Sequence, residues 1–496
     1  MSKTNAGGPG ILVLVRLALS GGRADGMRVV TTFGASVATM CLMLTVASVW
    51  SIRDSDGPYA YALLSEAGLR RGLGLGLCVF IFLLGALTAQ CSRIGGPARD
   101  RRLAAFRLAG ATPTDVIRLV SLETTIVTGF AGLAGCLVFA SVRRLVDGPM
   151  TMLGSYTREI PVSADTVRFE RAHGQVHLLP TDVDLGWWAY GLAVALLMAS
   201  IWCISQSVLR RVVISPFGVV RRSDVRTPRL GPAVMFVTGT LTLILFDGLR
   251  NVLGLADDAS KVTTGAVILA GTLTTVGLLV GVAGLSQALG QFLAPRTRHA
   301  SVLIAARRMA VLPFTSSRVN VVILSVALFG GFFQGLKSYI LVATEPTSNP
   351  FYAATLNFVD VLLALSVVLA SLGVLVNTGE LLVTGRQQLS ALVAAGVPRS
   401  VLRRSMLLES VLPLAIAAPG AVVAGVFSAR GVFGTSVGRS LGTAAQERIE
   451  IIYVPVPWTP ALLLSLGVLT AAGLMSWVAV GLVDSTTDPA ELRSTA

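Results

Sequence analysis

The sequence predicts an all-α polytopic membrane protein with ten transmembrane helices. Three observations predict it: apolar runs of spanning length, a scarcity of charge, and a one-sided distribution of arginine. Hydrophobic residues make up 53% of the 496 and charged residues only 13%. A soluble domain carries about 25% charged residues to cover its surface. This chain cannot cover itself with polar groups, so lipid must do so. About 20 apolar residues cross the hydrocarbon as a helix, and a helix satisfies its own backbone hydrogen bonds there.

Taken in order, the spans fall near 28–52, 72–92, 120–142, 186–208, 231–249, 262–285, 319–340, 358–380, 407–428 and 458–481. Before them, Ile11–Leu19 is interrupted by Arg16 and is too short to span. Residues 1–27 therefore read as an amphipathic interfacial helix rather than a cleavable signal peptide. Six alternate segments (1–28, 93–118, 209–229, 295–318, 386–404 and 485–496) hold 26 of the 40 Lys and Arg residues. The longest segment on the other side, 147–185, has three arginines against six acids. Positive residues stay inside, so both termini are expected in the cytoplasm and the chain in the plasma membrane, multi-pass. Trp50, Trp187, Trp188 and Trp458 fall at the outer ends, as an aromatic belt requires. The net charge of +14 is thus a topology signal and does not indicate a nucleic-acid partner. The expected surroundings are the lipid bilayer.

Two outer segments carry strand patterns and give minor β structure. Val167–Leu179 alternates around Gly174 as a hairpin would, and Glu447–Pro455 reads as one strand. The five cysteines lie in apolar runs without C-x-x-C spacing and read as small hydrophobes. His173 and His177 are four apart but lack further ligands nearby, so no metal site is expected. No G-x-x-x-x-G-K-[ST] motif occurs, so nothing in the chain cradles a nucleotide. Leu19-Ser-Gly-Gly-Arg23 resembles the signature loop of ABC ATPases only by coincidence. No catalytic constellation is present, and the chain is not read as an enzyme.

The chain also repeats itself. Leu103-Ala-Ala-Phe-Arg-Leu-Ala-Gly-Ala-Thr-Pro113 precedes a span entered at Glu123. Leu389-Ser-Ala-Leu-Val-Ala-Ala-Gly-Val-Pro398 precedes one entered at Glu409. Gly110 to Gly396 and Glu123 to Glu409 are both separated by 286 residues. Arg16-Leu-Ala-Leu before the first span echoes Arg308-Met-Ala-Val before the seventh. The plan is 4+2+4: an interfacial segment 1–27, a four-helix unit 28–230, two connecting helices 231–294, and a second four-helix unit 295–496. Each unit starts and ends inside, so the repeats are parallel.

The two repeated segments are cytoplasmic by this topology. Arg101–Ala109 and Gln388–Ala395 favour helix. Leu103 and Phe106, like Leu389, Leu392 and Val393, recur at helical spacing and give an apolar face suited to docking. Gly110 and Gly396 fall where a helix stops in left-handed geometry. Glu123 and Glu409 then sit at the cytoplasmic entrance of a span, where Arg118 or Arg404 could pair with them.

Leu103–Glu123 and Leu389–Glu409 resemble the cytoplasmic signature of FtsX-like permeases, the family that includes MacB-type and lipoprotein-releasing exporters. The resemblance implies the permease subunit of an ATP-driven ABC exporter of drugs, peptides or lipids. It also implies a separate MacB/LolD-like ABC ATPase, two copies for two units, which would bind ATP and Mg. No cofactor is expected in this chain. The residues implied to couple to that ATPase are Arg101, Leu103, Phe106, Gly110 and Glu123, with Leu389, Leu392, Gly396 and Glu409. Two departures from the family stand out. Arg102 and Gln388 occupy the position where the signature often has an acid. Stretches 53–71 and 341–357 are short where MacB-type members carry a large extracytoplasmic domain. Two alternatives stay open: a mechanotransmitter that switches a partner without moving solute, and an ion-coupled secondary transporter.

Overall fold

The computed structural model describes residues 23–53, 112–147, 151–163, 166–177, 180–213, 231–252, 260–313, 320–344, 350–384, 386–441 and 448–481, with isolated positions between 59 and 88. The chain divides into two compact units, Met1–Val219 and Val220–Ala496. Helices dominate both. Seven of the described helices are long and apolar enough to cross a membrane, and Trp187–Cys203 and Gly231–Ile244 are shorter apolar stretches.

The first unit contains α1 (Arg23–Ser51), α2 (Pro113–Asp147) and α3 (Trp187–Val213). Helix α2 packs against both of the others. Met40 and Leu44 of α1 meet Ala193 and Leu197 of α3 in the core. Gly135 lets α1 and α2 approach, since a Cβ there would lie 2.7 Å from that of Met40. Leu133, Leu137, Leu192 and Leu196 face outward, which suits a lipid surround and would be unfavourable in water. Span hydroxyls bond back to their own helix: Thr39 and Ser48 donate to the carbonyls of Ala35 and Leu44, so burial leaves them satisfied. Of the expected span 72–92, the described positions Gly74, Leu77, Cys78, Ile81, Leu84, Gly85 and Thr88 are helical. The rest of that span lies outside the described residues, as do residues 1–22 of the interfacial helix expected over 1–27, and residues 23–27 belong to α1.

An antiparallel hairpin, β1 (Thr151–Ser163) and β2 (Thr166–His177), joins α2 to α3. The hairpin expected around Gly174 is therefore corrected. Gly174 lies mid-strand opposite Gly154, and the register closes where Ser163 pairs with Thr166. The alternation in 167–179 is that of one long strand, whose partner 151–163 was hidden by Gly154 and Pro161. Arg143 Nε donates to the Thr181 carbonyl at 2.8 Å, tying the end of α2 to the stretch before α3.

The second unit contains α4 (Gly231–Ile244), α5 (Phe246–Val252), α6 (Ser260–Leu293), α7 (Ala300–Val311), α8 (Val321–Thr344), α9 (Pro350–Thr384), α10 (Arg386–Ala394), α11 (Arg399–Phe433) and α12 (Trp458–Gly481). A short hairpin, β3 (Ser436–Leu441) and β4 (Arg448–Tyr453), joins α11 to α12. Helices α8 and α11 touch backbone to backbone. A Cβ on Gly331 would lie 2.2 Å from the Val422 carbonyl oxygen, and one on Gly425 2.2 Å from that of Leu328. Small residues serve here because lipid offers no hydrophobic drive between helices, so close van der Waals fit must supply the attraction. The same device joins α4 to α6, where Gly277 abuts the backbone of Phe236.

Helices α2 and α11 correspond closely. Each has 35 residues, and both boundaries are offset by 286, from 113 to 399 and from 147 to 433. Each is followed by a two-stranded hairpin and a further apolar helix. They differ inside: α11 contains Pro413 and Pro419, where α2 has Val127 and Leu133.

Candidate coupling elbow

The best-described part of the predicted site is the elbow between α10 and α11. Helix α10 ends in a Schellman turn. Gly396 N–H donates to the Val393 carbonyl at 2.9 Å, and Val397 N–H donates to that of Leu392 at 3.0 Å. That turn needs left-handed backbone, and Gly396 has φ +89. A side chain there would be strained even though nothing lies within 4 Å of its Cβ position. Pro398 follows at the N-cap of α11 with φ −61 and ψ 139. A proline at this point cannot extend α10 and presets the entry into α11.

The elbow is held by a small core. Leu389, only 1% exposed, packs with Leu382 of α9, Leu402 and Met406 of α11 and Val480 of α12. Leu392, Val393 and Val397 border that cluster. The apolar face of α10 thus turns into its own bundle. The outward side consists of Ala391, Ala394, Ala395, Gly396 and Pro398, with Arg399 and Arg404 beside them, all exposed.

About 15 Å further along α11 (ten residues at 1.5 Å each), Glu409 is 5% exposed. Its Oε2 lies 2.9 Å from Arg308 Nε of α7. The contact is an ion pair rather than an aligned hydrogen bond. The expected partner Arg404 is five residues from Glu409 and so points to another side of the helix, because only positions three or four apart meet. Asn320, fully buried at the foot of α8, donates through Nδ2 to the Ser410 carbonyl at 2.9 Å. Ser410 Oγ donates to Ser476 Oγ of α12 at 3.1 Å. Pro413 has no N–H to return to the Glu409 carbonyl four residues earlier. These bonds converge on the turn of α11 just before that proline.

In the first unit, Arg101, Leu103, Phe106 and Gly110 lie outside the described residues. Glu123 is described, and is 8% exposed within α2. Nearby, Gln206 Nε2 of α3 donates to Ser121 Oγ at 3.3 Å. The start of α2 is capped. Asp115 N–H donates to Thr112 Oγ1 at 3.3 Å, and Thr112 N–H donates to Asp115 Oδ2 at 3.1 Å. This is a reciprocal capping box with Pro113 at the first helical position. The Thr112 hydroxyl, then its backbone N–H, hold the Asp115 carboxyl below the usual carboxylate range. The two helices begin at the same register although the proline sits one position apart, at 113 and at 398.

Sequence reasoning missed Arg308 and Asn320 as members of this site. The Arg308-Met-Ala-Val echo was a signal for the first. Nothing local marked the second except one amide at the foot of an apolar run. His173 and His177 stand on β2 opposite Ser155 and Thr151. Among the described residues no three His, Cys, Asp or Glu gather as a metal site.

Compared with known families, residues 74–216 match the FtsX-like permease C-terminal domain. The matched segment includes α2, the first hairpin and α3, and it is consistent with an FtsX-like permease. No curated protein matches the chain.

Proposed function

We propose that this chain, a multi-span membrane protein carrying an FtsX-like permease domain at 74–216, is the permease subunit of an ATP-driven ABC exporter. One observation carries the reading: a short helix ends in an abrupt, glycine-dependent turn directly at the start of an apolar helix of spanning length. Such a unit receives a push outside the bilayer and passes it to a span. Leu389 anchors the elbow in the bundle. Ala391, Ala394, Ala395, Gly396 and Pro398 form its outer contact surface, with Arg399 and Arg404 at the rim. Small side chains let a partner's cleft approach the backbone. Arg101, Leu103, Phe106 and Gly110 serve the same coupling role for the first unit, and Glu123 plays the part of Glu409.

In this reading the chain makes ten spans in a 4+2+4 plan within residues 28–230, 231–294 and 295–496. Both termini are cytoplasmic, in the plasma membrane. Two copies of a separate ABC ATPase dock on the two elbows and bind ATP and Mg. The cargo is a drug, peptide or lipid.

The test is co-expression with candidate ATPases. An ATPase that co-purifies and is stimulated by the permease supports the reading, and failure to capture any nucleotide-binding subunit overturns it. A second reading, an ion-coupled secondary transporter, draws on one observation. Lys337 of α8 is paired with Asp360 of α9, which also accepts a bond from Gln334 at 2.8 Å, all within apolar helices. Flux driven by an ion gradient in ATPase-free vesicles would select it.

A further inference from the structure

The corner between α6 and α7 is built differently from the rest of the second unit. Helix α6 is an apolar spanning helix that ends at Leu293. After six residues the chain turns back into α7. Helix α7 crosses the end of α6 at Gly290, where a Cβ would lie 2.5 Å from the Ala306 carbonyl oxygen and 2.6 Å from Ala310 N. A spanning helix leaves the hydrocarbon at its end, so α7 lies at the membrane surface.

The faces of α7 are divided. Ala305, Ala306 and Met309 are fully buried against the bundle. Arg308 turns inward to Glu409. Leu303, Arg307 and Val311, each four apart, form an exposed stripe on the other side. At the end of α6 and in the six-residue turn, Phe292, Arg296 and Arg298 are exposed as well. Arg296 is held in place: its guanidinium carbon lies 4.0 Å above the Phe292 ring, and Nη1 donates to the Phe292 carbonyl at 2.9 Å. Segment 290–312 contains four arginines and no acid. The nearby acid Glu409 already faces Arg308.

An exposed stripe of apolar and basic residues at the level where a span ends fits one surface. The apolar side chains enter the acyl boundary, and the guanidiniums meet phosphates. Each basic residue near an anionic leaflet adds to the attraction. We propose that the α6–α7 corner binds the headgroup of an anionic phospholipid, with Arg296, Arg298 and Arg307 on the phosphate and Phe292, Leu303 and Val311 on the chains. The site shares its helix with Arg308. Lipid bound on the outer stripe therefore fixes the helix whose inner face holds Glu409. This inference needs only the membrane-spanning fold and does not depend on an ATPase.

The test uses the full chain in neutral detergent and counts bound lipid by native mass spectrometry. Phosphatidylglycerol and phosphatidylcholine of the same chain length are titrated in turn. The expected result is about tenfold or greater preference for phosphatidylglycerol. The preference should vanish in Arg296→Gln/Arg298→Gln/Arg307→Gln and survive in the corresponding triple Lys variant. If the Gln variant fails to fold, 0.5 M salt on the native chain supplies the same reading, because screening must abolish the preference. Equal binding of the two lipids overturns the site, as does an undiminished preference in a folded Gln variant. Displacement by water-soluble glycerophosphoglycerol would identify a free phosphodiester site and overturn the lipid assignment.

Discussion

Arg308 of α7 and Glu409 of α11 are 101 residues apart in sequence, yet their side chains meet 2.9 Å apart at the foot of a spanning helix. Glu409 is nearly enclosed, and Arg308 keeps 22% of its side-chain surface exposed. Removing one partner of a fully buried pair costs about 3–5 kcal/mol, mostly from stranding the other charge. With Arg308 partly solvated, Arg308→Ala should cost on the order of 2 kcal/mol. Thermal melting in detergent should fall clearly for Arg308→Ala and hardly for the exposed Arg404→Ala. The double variant Arg308→Met/Glu409→Met should recover part of the loss, because it removes both charges of this pair together. Equal effects of Arg308→Ala and Arg404→Ala would show that the pair does not hold α7 in place.

Gly396 sets the elbow through conformation rather than space. Gly396→Ala meets no neighbour, so its cost is the left-handed backbone alone, about 1 kcal/mol. Gly396→Pro is worse, since proline cannot adopt φ +89 and also removes the bond to Val393. With a captured ATPase, hydrolysis should become independent of export in the Pro variant and be weakened in the Ala variant, while membrane insertion is unchanged. Normal coupling in Gly396→Pro would locate the contact elsewhere.

The α8–α11 contact is a matter of space. Gly331→Leu and Gly425→Leu must each push two backbones apart at a point where even a Cβ would stand 2.2 Å from a carbonyl oxygen. Both should lose the folded state, read as aggregation on size-exclusion chromatography. Gly467→Leu, where nothing lies within 4 Å, should remain monodisperse. The three substitutions are chemically the same, so a uniform outcome would contradict the packing.

The cap of α2 is sensitive to acid. The carboxyl of Asp115 is held below its ordinary value by Thr112, so the folded state favours the ionised form. Its contribution is present above the unfolded value, near 4, and is lost as pH falls through the lower folded value. Amide protection in the first turn of α2, corrected for the intrinsic pH dependence of exchange, should therefore fall below about pH 4. Asp115→Asn should remove that acid step and leave a slightly frayed turn at neutral pH. An identical acid step in Asp115→Asn would assign it to another group.

Local chemistry made much of this legible. Gly396 and Pro398 announced a helix stop and restart because only certain residues fit those angles. Glu409 and Glu123 stood out as acids at the edge of apolar runs. Leu389 showed its helical spacing but not which way the face would turn. A docking face and a buried face have the same period, and the Leu382–Met406–Val480 cluster decides between them. Arg308 and Asn320 could not be paired with α11 from spacing, because their contacts join segments about a hundred residues apart. The turn of the first hairpin was misplaced because Gly174 looked like a reversal and was instead paired across the sheet with a second glycine.

Two helices of 35 residues, α2 and α11, occupy matching positions in sequence, yet only α11 contains proline beyond its first turn. An unbroken ladder of backbone bonds makes α2 a stiff strut. Pro413 and Pro419 remove two rungs from α11 and lower its resistance to bending at those turns. The two helices are therefore unequal as mechanical parts. The same displacement applied at both feet would reach the far end of α2 almost undiminished and would be partly absorbed within α11.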